Sequence, residues 1–330
     1  MQTGTDALGL TFASLMGLGP QLAVSTAQRA EELGYRSFWT AETTGPEAFT
    51  LLAAAGAAAP SLSLGTGVVP MQVRTPMIVA MAGATLQALQ PEREVLLGIG
   101  ISSPVVASQW HGMPYGEHPL ARVREYVTLV KECLSGEPVT FQGDFYDVRK
   151  FRLGVRLGER RPKVIVAALN PGMLRLAGEV ADGVLLNYIP ASHVPWSVEQ
   201  VRKGGDATVY AYVHAGVCER EDGIALARRD LFSYAVVDSY ARNFERAGFG
   251  DEVAEIRARH AERDREGALA AVSDRMVDAI DVMGDADTVH DTMRAYSDAG
   301  VDVPILMPLP WGKDRRASAD AAIRAAVGRA

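Results

Sequence analysis

A short segment of this 330-residue chain, Asn170-Pro171-Gly172-Met173, has the residue types of a phosphate-binding helix start. Asparagine suits the N-cap of a helix, and proline suits its first position. The backbone N–H groups of Gly172 and Met173 would then lie at the positive end of the helix dipole, where they can bind a phosphate. The alternative is a well-capped helix that binds nothing.

A second glycine turn could serve the same phosphate. Gly98-Ile99-Gly100 ends an apolar run and is followed by Ile101, Ser102 and Ser103. Glycines let the backbone come close to a ligand, and the serines would add hydroxyl groups. One such turn is weak support, whereas two on neighbouring strands are stronger.

The segment Leu62–Pro70 predicts the floor of a pocket. Its alternating apolar run reaches Gly65 and Gly67 and continues with Val68-Val69-Pro70. A strand that ends in glycines allows close approach of a ligand, and the residues that follow are too stiff and apolar for a solvent loop. We therefore expect a flat ligand here.

Glu42 is the candidate for proton transfer. It follows the apolar strand Ser37-Phe38-Trp39, and a carboxylate beside an apolar pocket can act in general acid–base catalysis. The alternative is a surface carboxylate that caps the helix beginning near Pro46. The sequence supports these two interpretations of Glu42 about equally.

Composition excludes several classes of protein. Hydrophobic residues make up 48% of the chain and charged residues 22%, so a large core can be buried. The net charge of −7, spread along the chain, argues against nucleic acid as a partner. No apolar run reaches the roughly 18 residues of a membrane span, and Met1–Asp6 lacks the basic region of a signal peptide. Cys133 and Cys218 are therefore expected to be reduced thiols in a cytoplasmic protein.

The histidines give no metal-binding pattern. His111, His118, His193 and His214 have no spacing of the H-E-x-x-H kind, so no metal is expected. We interpret His214 as a hydrogen-bonded core residue. The absence of a G-x-S-x-G turn makes serine hydrolase chemistry a poor fit.

Alternating strand and helix patterns predict one α/β fold, a (β/α)₈ TIM barrel. Eight strands begin with Ala7–Ala13 and end with Val303–Met307, and the first β–α turn lacks the G-x-G-x-x-G of an open doubly wound sheet. We predict one domain over residues 1–330, with a hairpin-containing insertion at about 136–160. A second, almost wholly helical insertion is predicted over 219–283, after the seventh strand.

In such a barrel, functional groups lie at the carboxyl ends of the strands. These ends supply the candidate cofactor-binding residues, which are Thr11, Ala41, Gly67, Val68, Gly100, Ile101, Ser102, Ser103, Ala168, Leu169, Asn170, Gly172 and Met173. Four aromatic residues are candidate walls of a substrate pocket, with ordinary core or lid positions as the alternative: Phe12, Trp110, Tyr188 and Trp311.

Several motifs together resemble the bacterial luciferase-like superfamily, and within it the coenzyme F420-dependent oxidoreductases similar to methylenetetrahydromethanopterin reductase. The resemblance covers about residues 7–190 well and 285–310 loosely. The motifs are Ala41-Glu42-Thr43, Leu64-Gly65-Thr66-Gly67-Val68, Arg74-Thr75-Pro76, Leu97-Gly98-Ile99-Gly100, Trp110-His111-Gly112-Met113-Pro114-Tyr115, Gly143-Asp144-Phe145-Tyr146 and residues 176–183.

The resemblance implies a barrel that binds a flavin or deazaflavin at its C-terminal face. It implies a cis peptide bond at Gly67–Val68 behind the cofactor ring, phosphate contacts at Gly100–Ser103 and Asn170–Met173, and a homodimer. Relatives that oxidise sugar phosphates carry an Asp-His pair where this chain has Ala41-Glu42, and a glutamate where it has Ser103. This departure argues against glucose 6-phosphate as the substrate.

The resemblance thus predicts hydride transfer between the deazaflavin of F420 and a small organic substrate, with Glu42 handling the proton. Two alternatives stay open: an FMN-dependent monooxygenase on the same barrel, and a cofactor-binding barrel without turnover.

Overall fold

A computed structural model of the chain describes residues 8–329. In this part, the strands in chain order are β1 (Gly9–Thr11), β2 (Ser37–Thr40), β3 (Ser63–Thr66), β4 (Val69–Pro70), β5 (Val95–Gly100), β6 (Val139–Gln142), β7 (Asp147–Phe151), β8 (Lys163–Ala167), β9 (Gly183–Leu186), β10 (Thr208–Val217), β11 (Asp281–Gly284) and β12 (Val303–Pro308).

Helices alternate with most of these strands. They are α1 (Gln21–Leu33), α2 (Ala48–Ala58), α3 (Pro76–Leu89), α4 (Pro119–Leu134), α5 (Pro171–Val180), α6 (Val194–Arg202), α7 (Arg220–Ala235), α8 (Asp238–Phe244), α9 (Gly250–Ala261), α10 (Arg265–Ala270), α11 (Asp274–Ile280), α12 (Ala286–Asp298) and α13 (Arg315–Ala326).

The predicted (β/α)₈ barrel is confirmed. Parallel pairing runs from β12 through β1, β2, β3, β5, β8 and β9 to β10, and β10 pairs with β12 to close the ring. The strands are buried on both faces, which explains their nearly continuous apolar sequences. The barrel interior is filled by large side chains from most of these strands: Trp39, Leu96, Ile165, Leu185, Tyr210, Tyr212, Ile305 and Met307.

The helical section predicted for Glu219–Met283 ends differently. Helices α7 to α11 fill most of it, with a π-helical turn at Glu245–Phe249, but Asp281–Gly284 forms β11, a parallel neighbour of β10. The prediction of helix at Asp281–Met283 was wrong because β10 is long enough to offer a free edge beyond the barrel. Pairing with that edge is a tertiary interaction that local periodicity does not show.

Other boundaries differ in smaller ways. The predicted strand Leu62–Val69 is split into β3 and β4, and β4 pairs with β5. Helix α6 was not predicted, although Pro195 in its first turn is compatible with a helix. The predicted hairpin is present as the antiparallel pair β6 and β7. Ala7 and Met1–Asp6 lie outside the described residues, and the division of the chain into domains stays a prediction.

The helices α7 to α11 carry their own apolar cluster. It includes Leu231, Phe244, Val253 and Ile256, and the Tyr188 side chain from the barrel packs into it. Thus the helical insertion packs onto the carboxyl end of the barrel, where the site is expected. Cys133 and Cys218 are free thiols. Among residues 8–329, no helix is both long enough and apolar enough to cross a membrane.

Candidate functional site

Two adjoining cavities open at the carboxyl ends of the barrel strands. The first, of about 520 Å³, lies beside the start of α5. The second, of about 690 Å³, lies between Glu42 and the helical insertion. They share a wall made of Gly67, Val68, Gly100, Ile101, Tyr115, Asn187, Tyr212, Ser239 and Tyr240.

The shared wall contains the turn that the sequence marked as a pocket floor. The Gly67–Val68 peptide bond is cis, which agrees with the bond implied by the resemblance. The Gly67 carbonyl accepts a hydrogen bond of 2.8 Å from the Tyr212 hydroxyl, so the turn is fixed from inside the barrel. A Cβ at position 67 would collide with that hydroxyl. Glycine is therefore required here because a buried tyrosine occupies the space of a side chain.

The start of α5 lines the first cavity, together with Ala168 and Leu169. Asn170 occupies the N-cap position, but in the described structure its side chain makes no hydrogen bond to the first turn of the helix. Its amide nitrogen donates to the Ser239 carbonyl at 3.2 Å, and its oxygen accepts from Arg246. The N–H groups of Gly172 and Met173 are thus left for a ligand, while Asn170 joins the barrel to the helical insertion.

Two arginines that the sequence analysis missed also line the first cavity. Within residues 8–329, neither Arg242 nor Arg246 forms an ion pair with a carboxylate, and the buried Nε of Arg246 has no hydrogen-bond partner. Burial, and secondly the nearby Arg242, lower the pKa of Arg246. Two cations beside a helix N-terminus, in a cavity whose described lining includes no Asp or Glu, form a site for an anion. Their positions within the charged insertion gave no signal in the sequence.

Glu42 lines the second cavity, but its carboxylate is held by an arginine. Arg74 Nε donates to Oε2 at 2.7 Å and an Arg74 terminal nitrogen donates to Oε1 at 2.6 Å. The side chains are only 12% and 16% exposed. Arg74 also pairs with Glu47, which caps α2. A carboxylate in a two-point ion pair is stabilised in its charged form, so this arrangement favours a positioning role for Glu42.

The structure brings most of the other predicted residues to the second cavity. Trp110 is 56% exposed at its mouth. Thr11 and Phe12 differ, because both are buried in the barrel and neither is among the described residues that line the two cavities. Thr11 instead donates to the Tyr212 hydroxyl at 3.3 Å, behind the shared wall. The predicted residues that do line the second cavity are Ala41, Glu42, Ser102, Ser103, Trp110, Tyr188 and Trp311.

A network of acids, a histidine and tyrosines faces Glu42 across the second cavity. Tyr188 donates from its hydroxyl to Asp230 Oδ2 at 2.8 Å, and its ring lies 4.3 Å from the His214 ring, centroid to centroid. His214 contacts Asp281 Oδ1 through Nδ1 at 3.1 Å and Asn187 Oδ1 through Nε2 at 2.8 Å. The pairing of β10 with β11 places Asp281 directly beside His214.

The hydrogen bonds indicate how this network is protonated. Asn187 Oδ1 already accepts the Tyr188 backbone N–H, which identifies it as the amide oxygen, so the His214 Nε2 carries a proton. Burial lowers the pKa of His214 to about 4, which keeps the ring neutral. The unprotonated Nδ1 must then accept a hydrogen bond from a protonated Asp281 Oδ1, which agrees with burial raising the pKa of Asp281 well above its ordinary value. The prediction of a hydrogen-bonded His214 fits this arrangement.

Asp230 is a cavity-lining acid with a perturbed affinity for protons. Burial, and secondly the neighbouring Asp281, raise the pKa of Asp230 to about 7. Carboxyl groups with such values cluster at functional sites. Asp230, His214 and Asp281 each offer a ligand atom within 4.8 Å of the others, so the group could also be considered for a metal ion.

Comparison with known proteins agrees with this geometry. The family described as luciferase-like monooxygenase matches residues 10–303. The chain belongs to this family. A Mycobacterium tuberculosis protein provisionally named a coenzyme F420-dependent oxidoreductase is 28% identical over 328 residues, which cover 91% of this chain and 94% of that protein. The 5,10-methylenetetrahydromethanopterin reductase of Archaeoglobus fulgidus is 27% identical over 307 residues, covering 88% and 90%.

The fold has a similar counterpart among solved structures. The coenzyme F420-dependent tetrahydromethanopterin reductase of Methanopyrus kandleri superposes with a TM-score of 0.80 over 98% of this chain and 97% of that chain, at 22% identity. This similarity supports the barrel assignment.

Proposed function

We propose that this chain is an F420-dependent oxidoreductase that transfers a hydride between C5 of the deazaflavin and a small organic substrate. The observation that carries the proposal is the first cavity, where an apolar slot ends at two arginines and a helix N-terminus. The name of the Mycobacterium tuberculosis relative supports the same cofactor. When bound, F420 would supply the hydride, and the protein would supply orientation and exclusion of water.

The first cavity fits the anionic part of F420. Among the described residues, the Nε of Arg246 has no hydrogen-bond partner. An anionic tail with a phosphate can accept hydrogen bonds from this nitrogen, from the nearby Arg242 and from the N–H groups at Gly172 and Met173. The neutral Leu120 and Tyr115 line the same cavity, and none of the described residues that line it is an Asp or a Glu. The donor set therefore suits a phosphate and carboxylates.

The shared wall suits the flat ring. Val68 and Ile101 present apolar surface to both cavities, and the Gly67 backbone is fixed by Tyr212. A rigid wall of this kind holds a planar group in one orientation, which hydride transfer requires because it depends on a short, aligned approach. The substrate would then occupy the second cavity, between Ala41 and Tyr188.

An FMN-dependent monooxygenase stays the second candidate, since FMN also has a flat ring and a phosphate and the family is described as luciferase-like monooxygenase. A barrel that binds the cofactor without turnover is the third. The two arginines favour F420, because its tail carries carboxylates beyond the phosphate.

The test is a titration of the cofactor-free protein with F420 and, separately, with FMN, followed by fluorescence. We expect F420 to bind and FMN to bind more weakly. The variant Arg246→Gln should weaken F420 binding by about ten- to a hundredfold, since a hydrogen bond to a charged group contributes roughly 1.5 to 3 kcal/mol. Oxidation of reduced F420 by a panel of carbonyl, imine and alkene acceptors would then identify the substrate class.

The matched control is Arg259→Gln, which removes an arginine on α9 that pairs with Glu255 at the surface. It should leave the affinity for F420 unchanged. Tight binding of FMN with none of F420 would overturn the proposal, and reduced F420 that no acceptor oxidises would favour the non-catalytic barrel.

Homodimer formation and a cytoplasmic location stay predictions. Ile78 and Met81 on α3 are 45% and 46% exposed, which offers apolar surface for a second copy. Sedimentation of the purified protein measures the oligomeric state directly.

A further inference from the structure

The wall of the second cavity opposite Glu42 is made by residues that lie far apart in the chain. Tyr188 follows β9, His214 is in β10, Asp230 is in α7 and Asp281 begins β11. Three of them, Tyr188, His214 and Asp230, line the cavity. A carboxyl group that a tyrosine holds at a substrate-sized cavity can exchange a proton with a bound molecule.

We propose that Asp230 is the proton donor to the substrate, oriented by Tyr188, and that His214 and Asp281 are positioning residues behind it. This inference rests on the proposed function, because it assigns the proton that accompanies the hydride. In this proposal, Glu42 has a separate role, which is to hold the Arg74 side chain in place.

The backbone at Tyr188 shows how Asp230 is oriented. Tyr188 has a φ of +51°, an uncommon conformation for a residue with a side chain. Its N–H donates to Asn187 Oδ1 at 3.0 Å and its carbonyl accepts from Asn243 at 3.1 Å. Its ring stacks on Tyr234 at 3.9 Å between centroids. These contacts fix the hydroxyl that meets Asp230, which is how a functional side chain is held in place.

His214 and Asp281 form a buried hydrogen-bonded pair behind Asp230, and Asp281 Oδ2 has no hydrogen-bond partner among the described residues. An unpartnered carbonyl oxygen costs less than an unpartnered charge, which agrees with a protonated Asp281 when Asp230 is charged. Burial is the first cause of the raised pKa of Asp230, so Asp230 can lose and regain a proton near neutral pH.

The titratable groups that interact with Asp230 lie on several elements of the barrel and the insertion; they are Tyr188, His214, Asp281, Tyr234 and Tyr240. Among the described residues that line the second cavity, Arg315 is the one arginine.

In the reducing direction, the substrate would gain a hydride from reduced F420. The substrate atom beside the reduced centre would take the proton of the Asp230 carboxyl group, as the O–H bond of that group breaks. The Asp230 carboxylate is reprotonated from water at the cavity mouth. The proton that oxidation of the cofactor releases goes to solvent, so one molecule of reduced F420 reduces one substrate molecule.

The first experiment needs neither cofactor nor substrate. Infrared difference spectra of the wild-type protein between pH 5 and pH 9 should show a carboxylic-acid C=O band that disappears with a midpoint near pH 7. The band should be absent from the titration of Asp230→Asn. The absence of a titrating band in the wild type, or its persistence in Asp230→Asn, would overturn the proposal.

Tyr188→Phe keeps the test decisive if Asp230→Asn does not fold. The Tyr188 hydroxyl donates to Asp230 and thereby favours its charged form, so its removal should move the midpoint to higher pH. The matched control is Glu221→Gln, which removes an exposed carboxylate from the same helix and should leave the midpoint unchanged. An unmoved midpoint in Tyr188→Phe would contradict the orientation by Tyr188.

Turnover supplies the second readout. With an acceptor that the wild type reduces, the rate should fall above pH 7, and Asp230→Asn should lose about a hundredfold or more with unchanged affinity for F420. A wild-type rate and pH profile in Asp230→Asn would overturn this inference and leave the proposed function standing. Failure of the wild type to bind F420 would instead overturn the proposed function, while the infrared titration still reports on Asp230.

A metal ion is the rival occupant of this cluster. Calorimetric titration with Zn²⁺ at pH 7.5 should give no binding that depends on Asp230. Binding to the wild type that Asp230→Asn loses would overturn the proton-donor role, because a metal ligand must stay deprotonated.

Discussion

Glu42 and Asp230 are carboxylates that face the same cavity from opposite sides, and their surroundings differ in almost every respect. Glu42 lies at the end of a barrel strand and receives two hydrogen bonds from Arg74. Asp230 lies on the helical insertion and receives one hydrogen bond from a neutral tyrosine, with the carboxyl group of Asp281 nearby. The first environment stabilises a charge, and the second disfavours it.

This difference shows that proximity to a pocket does not decide which acid can move a proton. Both oxygens of Glu42 are occupied by Arg74, whereas Asp230 is held by a single tyrosine hydroxyl and burial raises its pKa to about 7, so that it can exchange its proton near neutral pH. The two acids thus divide the work at the cavity between rim structure and proton transfer. Substitutions on the two sides should therefore have opposite consequences for the free energy of unfolding.

The largest expected effect is on Asp230→Asn. The folded-state pKa of Asp230, about 7, exceeds the ordinary 3.8, so the stability that its proton contributes is fully present below about pH 3.8 and is lost as the pH rises to 7. The asparagine stays neutral at every pH. Relative to that of the wild type, the free energy of unfolding of the variant should rise by on the order of 2 to 4 kcal/mol between pH 4 and pH 8. Denaturant unfolding at both pH values measures this gain.

If Asp230→Asn changed the free energy of unfolding by the same amount at pH 4 and at pH 8, this prediction would be contradicted. The contrast between Asp230 and Glu42 would then be lost as well. Glu221→Gln, on the same helix, serves as the control and should show no difference between the two pH values.

The next largest effect is expected for Glu42→Gln, which should lower the free energy of unfolding at pH 8, whereas Asp230→Asn should raise it. Arg74 would lose its charged partner at a position where both side chains are mostly buried, so we expect a loss of about 1 to 3 kcal/mol. The matched control is Glu179→Gln, whose two-point ion pair with Arg124 is about half exposed, so that solvent screens it and its removal should cost clearly less stability. Equal losses in the two variants would remove the distinction drawn for Glu42.

The smallest effect is on Glu47→Ala. Glu47 accepts the N–H groups of Phe49 and Thr50 at the start of α2 and reaches Arg74 from the solvent side. We expect a loss of about 0.5 to 1 kcal/mol in thermal unfolding, typical of a lost helix cap. A loss larger than that of Glu42→Gln would assign the fixing of Arg74 to Glu47.

Much of the architecture could be predicted from the sequence because its signals are local. The proline at the start of α3, α4 and α5 fixed those helix beginnings, and the apolar run in β5 identified a strand buried on both faces. The glycines at the end of β3 indicated a close approach, and the structure places Tyr212 there. The role of Asn170 was harder to predict, because its side chain binds the insertion instead of the helix.

By itself, the sequence determined the alternating strands and helices of the barrel and the start of α5 at Pro171, since these depend on neighbouring residues in the chain, and the family resemblance added the cis bond at Gly67–Val68. Only the tertiary structure decided which groups surround each acid. Arg74 lies 32 positions from Glu42, and Asp281 lies 67 positions from His214 across a strand pairing that periodicity did not reveal. The protonation of a carboxyl group depends on solvent exposure and on charges within a few ångströms, and folding alone brings those neighbours together.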